Sequence, residues 1–162
     1  MEVALLIAQT VLTGALAAWL TLGVRDNLLH PSINETYTAE VLEMARMREE
    51  YPEAFAQVAH RAIKDRRLQL LAFRTVVVAE LAASLALWVG TACLALAVFG
   101  ILSADNARAA GILAATAFTA IWAAFLVVGN YFSYWFSHEG TQNTHFQMTL
   151  WGLGTIILNA QS

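Results

Sequence analysis

The segment LQLLAFRTVVVAELAASLALWVGTACLALAVFGIL, residues 68–102, determines the fold class of this chain. It is 35 residues long and contains two charged residues, Arg74 near its start and Glu80 further in. About 20 consecutive apolar residues are enough for a helix to cross the hydrocarbon core of a bilayer. We therefore predict a membrane-spanning helix over about 73–100.

Three further apolar blocks extend this prediction to the whole chain. Residues 3–24 and 109–132 contain no charged side chain, and each block is long enough to cross a bilayer. A shorter block over about 143–159 begins with polar residues on its entry turn. The sequence thus predicts an all-α membrane protein, a four-transmembrane-helix up-and-down bundle that forms a single membrane domain over residues 1–162.

The composition supports a membrane protein and excludes some function classes. Hydrophobic residues make up 59% of the chain and charged residues 13%, against roughly a quarter charged in soluble domains. The formal net charge of −3 excludes nucleic acid as an expected partner, because phosphate binding needs a basic surface. The expected partners are membrane lipids and other membrane protein subunits.

Residues 25–67 differ from the apolar blocks in containing most of the charges and both prolines. Val41, Met44, Phe55 and Ala59 keep the spacing of an apolar helix face, which predicts two short amphipathic helices in an interfacial loop on the membrane surface. Eight of the nine Lys and Arg residues lie within residues 25–74. The positive-inside rule therefore places this loop on the cytoplasmic side.

Glu80 is the residue most indicative of a site, because an ionised carboxylate inside a membrane span is costly unless it has a partner or a proton. It lies six residues from Arg74, which is roughly 9 Å along a helix. One interpretation is a hydrogen-bonded or neutral Glu80 that ties helices together. The other is a site for a proton, an ion, a quinone or a lipid headgroup. The candidate polar site contains Glu80, Arg74, Ser84, Asn130, His145 and Trp151, and a partner for Glu80 is expected among the last four or on another subunit.

No motif for catalysis, nucleotide binding or metal binding is present in the sequence. The four histidines have no pair at the i, i+4 spacing of a helical metal site, and Cys93 is the single cysteine. We therefore expect neither enzymatic activity nor a resident cofactor or metal. Contact with lipid, quinone or pigment is left open.

The order and spacing of several short motifs resemble a known family. They are Asn27, Asn34, VLEM at 41–44, Pro52, RAI at 61–63, Glu80, GNYFSYWFS at 129–137 and Phe146. In these features the chain is similar to bacterial predicted small integral membrane proteins of domain-of-unknown-function family 2165. The resemblance implies four spans in the inner membrane. It also implies an orientation opposite to that given by the charges, because members usually have their basic residues in the second loop. Asn130-Tyr131 departs from the family, whose members tend to have Glu-Trp there.

Three functional hypotheses follow. The first is a non-catalytic accessory or structural subunit of a larger membrane complex, such as a respiratory or photosynthetic electron-transfer complex. The second is a proton-coupled carrier or quinone-linked redox protein that uses Glu80. The third is a membrane assembly or stress factor that binds its partners transiently.

Overall fold

The chain is built from helices joined by short turns. The computed structural model describes residues 1–162 and contains no strand. The α-helices are α1 (Glu2–Leu29), α2 (Pro31–Glu43), α3 (Ala45–Glu50), α4 (Pro52–Val58), α5 (Arg66–Val98), α6 (Ala104–Tyr131) and α7 (Glu139–Asn159). Two 3-10 turns, Ala59–Arg61 and Tyr134–Phe136, complete the structure.

The four longest helices, α1, α5, α6 and α7, pack side by side with alternating direction. Small residues allow a close approach between α5 and α6, where a Cβ added at Gly90 would lie 3.3 Å from the Cα of Gly111. Gly152 of α7 packs closely against Thr119 of α6 in the same manner. Small side chains at such positions let helix backbones approach closely in lipid.

Three of these helices, α1, α5 and α6, are long and apolar enough to cross a membrane. The structure therefore confirms an all-helical protein with several apolar helices, whereas the predicted count of four spans is not confirmed. Helix α7 is 21 residues long, but polar side chains occupy most of its first third. They lower its hydropathy below that of the other three helices.

The helix ends differ from the predicted span limits of 24 and 73. Helix α1 continues to Leu29, and α5 already begins at Arg66. The start of α5 is capped by Asp65, whose carboxylate accepts a 2.8 Å hydrogen bond from the backbone N–H of Arg67. Charged residues that mark the end of an apolar block are thus accommodated within the helices, and the separate interfacial loop is shorter than predicted.

Residues 31–61 form a small helical cap over one end of the bundle. The predicted helices are present here, but there are three of them and a 3-10 turn instead of two. Met44, with a left-handed φ of 53°, ends α2 and turns the chain into α3. Leu42, Met44 and Met47 pack with Phe132 in a buried cluster. Gln69 fixes the cap to α5 by donating to the Ile63 carbonyl at 2.9 Å and to Glu43 at 2.8 Å.

Candidate functional site

Glu80 is buried on α5, and its carboxylate is held by a chain of two asparagines. The amide of Asn27 on α1 donates a 2.9 Å hydrogen bond to Oε2 of Glu80. The amide of Asn34 on α2 donates in turn to Oδ1 of Asn27 at 2.5 Å. Asn27 accepts through its side-chain carbonyl oxygen and donates through its side-chain N–H. The hydrogen bond from Asn34 therefore orients the N–H of Asn27 toward Glu80.

A cavity of about 550 Å³ adjoins these hydrogen-bonded residues at the cap end of the bundle, and we call it the Glu80 cavity. Its walls come from the end of α1, from α2, α5 and α6, and from the start of α7. Among the lining residues, Glu80 is the sole acidic one, and no Lys or Arg is present. The second carboxylate oxygen, Oε1, makes no hydrogen bond within the chain and is not enclosed by neighbouring atoms. Since Glu80 is one of the lining residues, we infer that this free oxygen faces the cavity.

One side of the Glu80 cavity is an aromatic wall formed by Trp122, Phe125, Tyr134 and His145. The His145 ring lies 4.9 Å from Phe125, 5.4 Å from Trp122 and 5.9 Å from Tyr134, between ring centroids. The indole Nε1 of Trp122 is enclosed and has no hydrogen-bond acceptor in the chain. A molecule in the cavity would therefore contact mainly the ring surfaces of this wall.

Tyr134 reaches this wall because the chain folds back after α6. Ser133 has a left-handed φ of 52°, and the following 3-10 turn directs Tyr134 toward the bundle. Gly129 provides the room, since a Cβ there would lie 2.6 Å from the Tyr134 ring. Aromatic residues that follow an apolar block are typical of an interfacial belt, but Tyr134 is only 3% exposed. Burial raises the pKa of the Tyr134 phenol, so it stays a neutral hydrogen-bonding group.

Tyr37 of the cap closes the cavity against the start of α7. Its hydroxyl is hydrogen-bonded to Nδ1 of His138 at 2.9 Å and to the hydroxyl of Thr141. The His138 side chain is buried, and this burial, together with the positive charge of Arg46, lowers the pKa of its imidazole. His138 is thus a neutral partner for Tyr37 near pH 7.

An apolar layer bounds the Glu80 cavity on the side away from the cap. Leu16, Leu20, Leu87 and Phe118 form this layer, and each is at most 1% exposed. Beyond it lies a second polar group that contains Gln9, Thr13, Arg108 and Asn159. The two polar regions lie toward opposite ends of the bundle, with no hydrogen-bonded chain across the apolar layer between them.

The structure brings together only part of the predicted site. Glu80 and His145 line the cavity. Ser84 is hydrogen-bonded to Thr21 at 2.9 Å instead of to Glu80, and Trp151 packs against Trp19 with ring centroids 6.4 Å apart. The remaining two predicted residues, Arg74 and Asn130, are exposed and make no side-chain hydrogen bond or ion pair. Neither of them lines the cavity.

The expected partner of Glu80 within the chain is therefore corrected to Asn27. Because α1 continues beyond the predicted limit at residue 24 and ends at Leu29, Asn27 lies on α1 at the level of Glu80. The available signal was the pair of asparagines, Asn27 and Asn34, spaced by seven residues after the first apolar block.

A comparison with protein families gives one match. The family described as "Predicted small integral membrane protein (DUF2165)" matches residues 5–162, a range that includes Asn27, Glu80 and the whole aromatic wall. No curated protein and no solved structure matches the chain.

Proposed function

Because the chain belongs to the DUF2165 family of small integral membrane proteins, we propose that it is a membrane protein that binds a small, largely apolar molecule in the Glu80 cavity. One observation supports this most strongly: a buried carboxylate has one oxygen held by Asn27 and the other open to a cavity of about 550 Å³. Ligand cavities are typically about 300–1,000 Å³ and combine apolar walls with a few polar groups.

The open oxygen favours binding over a purely structural role for Glu80. A carboxylate that only ties helices together is most stable when donors from the chain satisfy both of its oxygens. Here Asn27 is the sole donor, and Asn34 orients that donor without reaching Glu80 itself. The remaining hydrogen-bonding capacity of Glu80 is therefore available to a ligand.

The proposal includes four spans in the inner membrane of a bacterium, with the cap on the cytoplasmic side. Helix α7 packs antiparallel to α6 along its length, from His145 beside Trp122 to Asn159 beside Gly111. A helix in that position shares the environment of its neighbour. The excess of Lys and Arg within residues 25–74 favours a cytoplasmic cap.

The apolar layer argues against a proton-coupled carrier. A carrier must expose its site to both sides of a membrane, and a proton path needs a continuous series of polar groups. Leu87 and Phe118, both fully buried, block such a path toward the far end. Binding at one membrane face is therefore favoured over conduction of protons through this arrangement of helices.

An accessory subunit of a larger membrane complex, including an electron-transfer complex, is the second candidate function. Leu28, Leu29 and Ile33 expose 57% to 70% of their surface beside the junction of α1 and the cap. Apolar side chains exposed at the charged end of a bundle are typical of a surface covered by lipid or by another subunit. Such a subunit could present the Glu80 cavity to the rest of its complex.

Cysteine labelling tests the proposed cavity. In a Cys93→Ala background, Val76→Cys places a thiol in the cavity wall and Leu87→Cys places one in the apolar layer. We expect N-phenylmaleimide to label the first thiol and not the second. Ala72→Trp should fill the cavity and protect Val76→Cys, whereas Val78→Trp, which points outward from the same helix, should not. Equal protection of both cysteines from the reagent would contradict the proposal.

A further inference from the structure

We infer that the ligand of the Glu80 cavity is an organic cation, of the protonated amine or quaternary ammonium class. This inference rests on the proposed function and names the chemistry of the molecule bound. It combines three features of the cavity: the charge of its lining residues, the open carboxylate oxygen, and the aromatic wall.

The charge of the lining is the first feature. Glu80 is the single acidic residue in the wall, and the wall contains no Lys or Arg that could neutralise it. Arg46 lies over the ring of Tyr37, on the cap, but it is engaged there with Glu40 at 3.7 Å. A buried carboxylate is stabilised by a proton or by a partner, and a ligand with a positive charge is a partner that keeps it ionised.

The aromatic wall selects the kind of cation. The faces of Trp, Tyr and Phe rings attract cations electrostatically, most strongly when the pair is removed from water. Trp122, Phe125 and Tyr134 provide such rings on one side of the cavity. An ammonium group with attached hydrocarbon can contact the rings and the carboxylate together, while its apolar part fills the remaining space.

Other ligand charges fit the cavity less well. A metal ion needs several oxygen, nitrogen or sulfur ligands, and the chain has no group of three or more His, Cys, Asp or Glu side chains able to hold one. An anion would face the Glu80 carboxylate with no Lys or Arg among the lining residues to offset the repulsion. A neutral molecule could enter but would leave the open oxygen of Glu80 without a cationic partner.

Two probes of equal shape test the inference. Benzyltrimethylammonium is a quaternary ammonium ion, and neopentylbenzene replaces its nitrogen by carbon and so has no charge. Binding is measured by protection of Val76→Cys from N-phenylmaleimide, in the Cys93→Ala background. We expect the cation to protect at concentrations at least roughly tenfold lower than the neutral probe. In Glu80→Gln this preference should disappear, whereas Glu53→Gln, which removes an exposed carboxylate outside the site, should keep it.

The outcomes separate the two proposals. Equal protection by both probes, unchanged in Glu80→Gln, would overturn the cationic ligand while leaving a small-molecule cavity. Labelling that neither probe reduces would also overturn it. A Val76→Cys thiol that never reacts would overturn the cavity and with it the proposed function. Protection by neopentylbenzene that is the same in Glu80→Gln and in the parent protein shows that the variant retains its fold.

Discussion

The side-chain amide of Asn27 donates a 2.9 Å hydrogen bond to the carboxylate of Glu80, and this contact joins α1 to α5 at the floor of the cavity. The partners are 53 residues apart in the chain, and both are less than a tenth exposed. A buried acceptor that loses its donor retains the full cost of desolvation. This pair therefore contributes to the stability of the bundle and also sets the position of the free carboxylate oxygen.

Asn27→Ala should destabilise the protein by about 1–3 kcal/mol, because it leaves Oε2 of Glu80 without its donor. The measurement is thermal or denaturant unfolding of the purified protein in a mild detergent. Asn130→Ala is the matched control, since Asn130 is exposed and makes no side-chain hydrogen bond. That control should change stability by no more than about 0.5 kcal/mol. Equal effects of the two substitutions would show that Asn27 does not support Glu80.

Glu80→Gln should have a small effect on stability, within about 1 kcal/mol, because the Gln side-chain carbonyl can still accept the hydrogen bond from Asn27. Unfolding in detergent measures this as well. A hydrogen-bonded Glu80 that only ties helices together predicts the same mild effect, so a large loss of stability would show that the charge of Glu80, and not its hydrogen bond with Asn27, holds α1 to α5. Asn27→Ala combined with Glu80→Gln should cost less than the sum of the single changes, because the two residues form one contact.

The sequence was sufficient to predict the class of the protein but not the composition of its site. Apolar blocks of about 20 residues or more predict membrane-spanning helices, and α1, α5 and α6 are long and apolar enough to cross a membrane. The register between helices is different, because it depends on where each helix ends. Residues from Arg25 to Leu29 remain helical although Arg25 and Asp26 are charged, and this extension places Asn27 beside Glu80.

The inward position of Tyr134 could not be predicted from the sequence either. Aromatic residues at the end of an apolar block are typical of a membrane interface. The chain instead turns back at Ser133, whose left-handed conformation no sequence pattern required. Gly129 was the one available indication, since glycine permits a close approach, but it did not identify which side chain would approach.

Gly152→Ala should destabilise the packing of α7 on α6 by about 1–3 kcal/mol, the usual effect of overpacking. The added methyl group would overlap the Oγ1 atom of Thr119, which is held in place by donating to the Ala115 carbonyl at 2.7 Å. Gly154→Ala on the same helix meets no atom within 4 Å and is the control. It should be neutral or stabilising, since alanine favours helix over glycine by up to about 1 kcal/mol. Melting temperatures in one detergent compare the two, and a larger loss at Gly154 would contradict the packing described.

The burial of His138 predicts a dependence of stability on pH. Burial lowers the pKa of His138 from its ordinary value of 6.5, so the unfolded chain binds a proton more readily than the folded one. Stability should therefore be highest above pH 6.5 and fall as the pH decreases below it. In His138→Asn this part of the decrease should be absent, whereas His30→Asn, at an exposed position, should retain it. Unfolding curves measured between pH 8 and pH 5 on all three proteins provide the comparison, at roughly half-unit steps around the unperturbed value. Identical curves for the parent and His138→Asn would contradict the burial of this imidazole.

Infrared difference spectroscopy of the carboxyl region tests the central claim most directly, because it reports whether a molecule in the cavity contacts Glu80. Spectra of the purified protein are recorded before and after addition of benzyltrimethylammonium, and the parent protein is compared with Glu80→Gln and with Glu53→Gln. The account predicts a carboxyl difference band in the parent and in Glu53→Gln that is lost in Glu80→Gln. A spectrum without such a band, or a band that persists in Glu80→Gln, would contradict the assignment of Glu80 as the polar contact of the cavity.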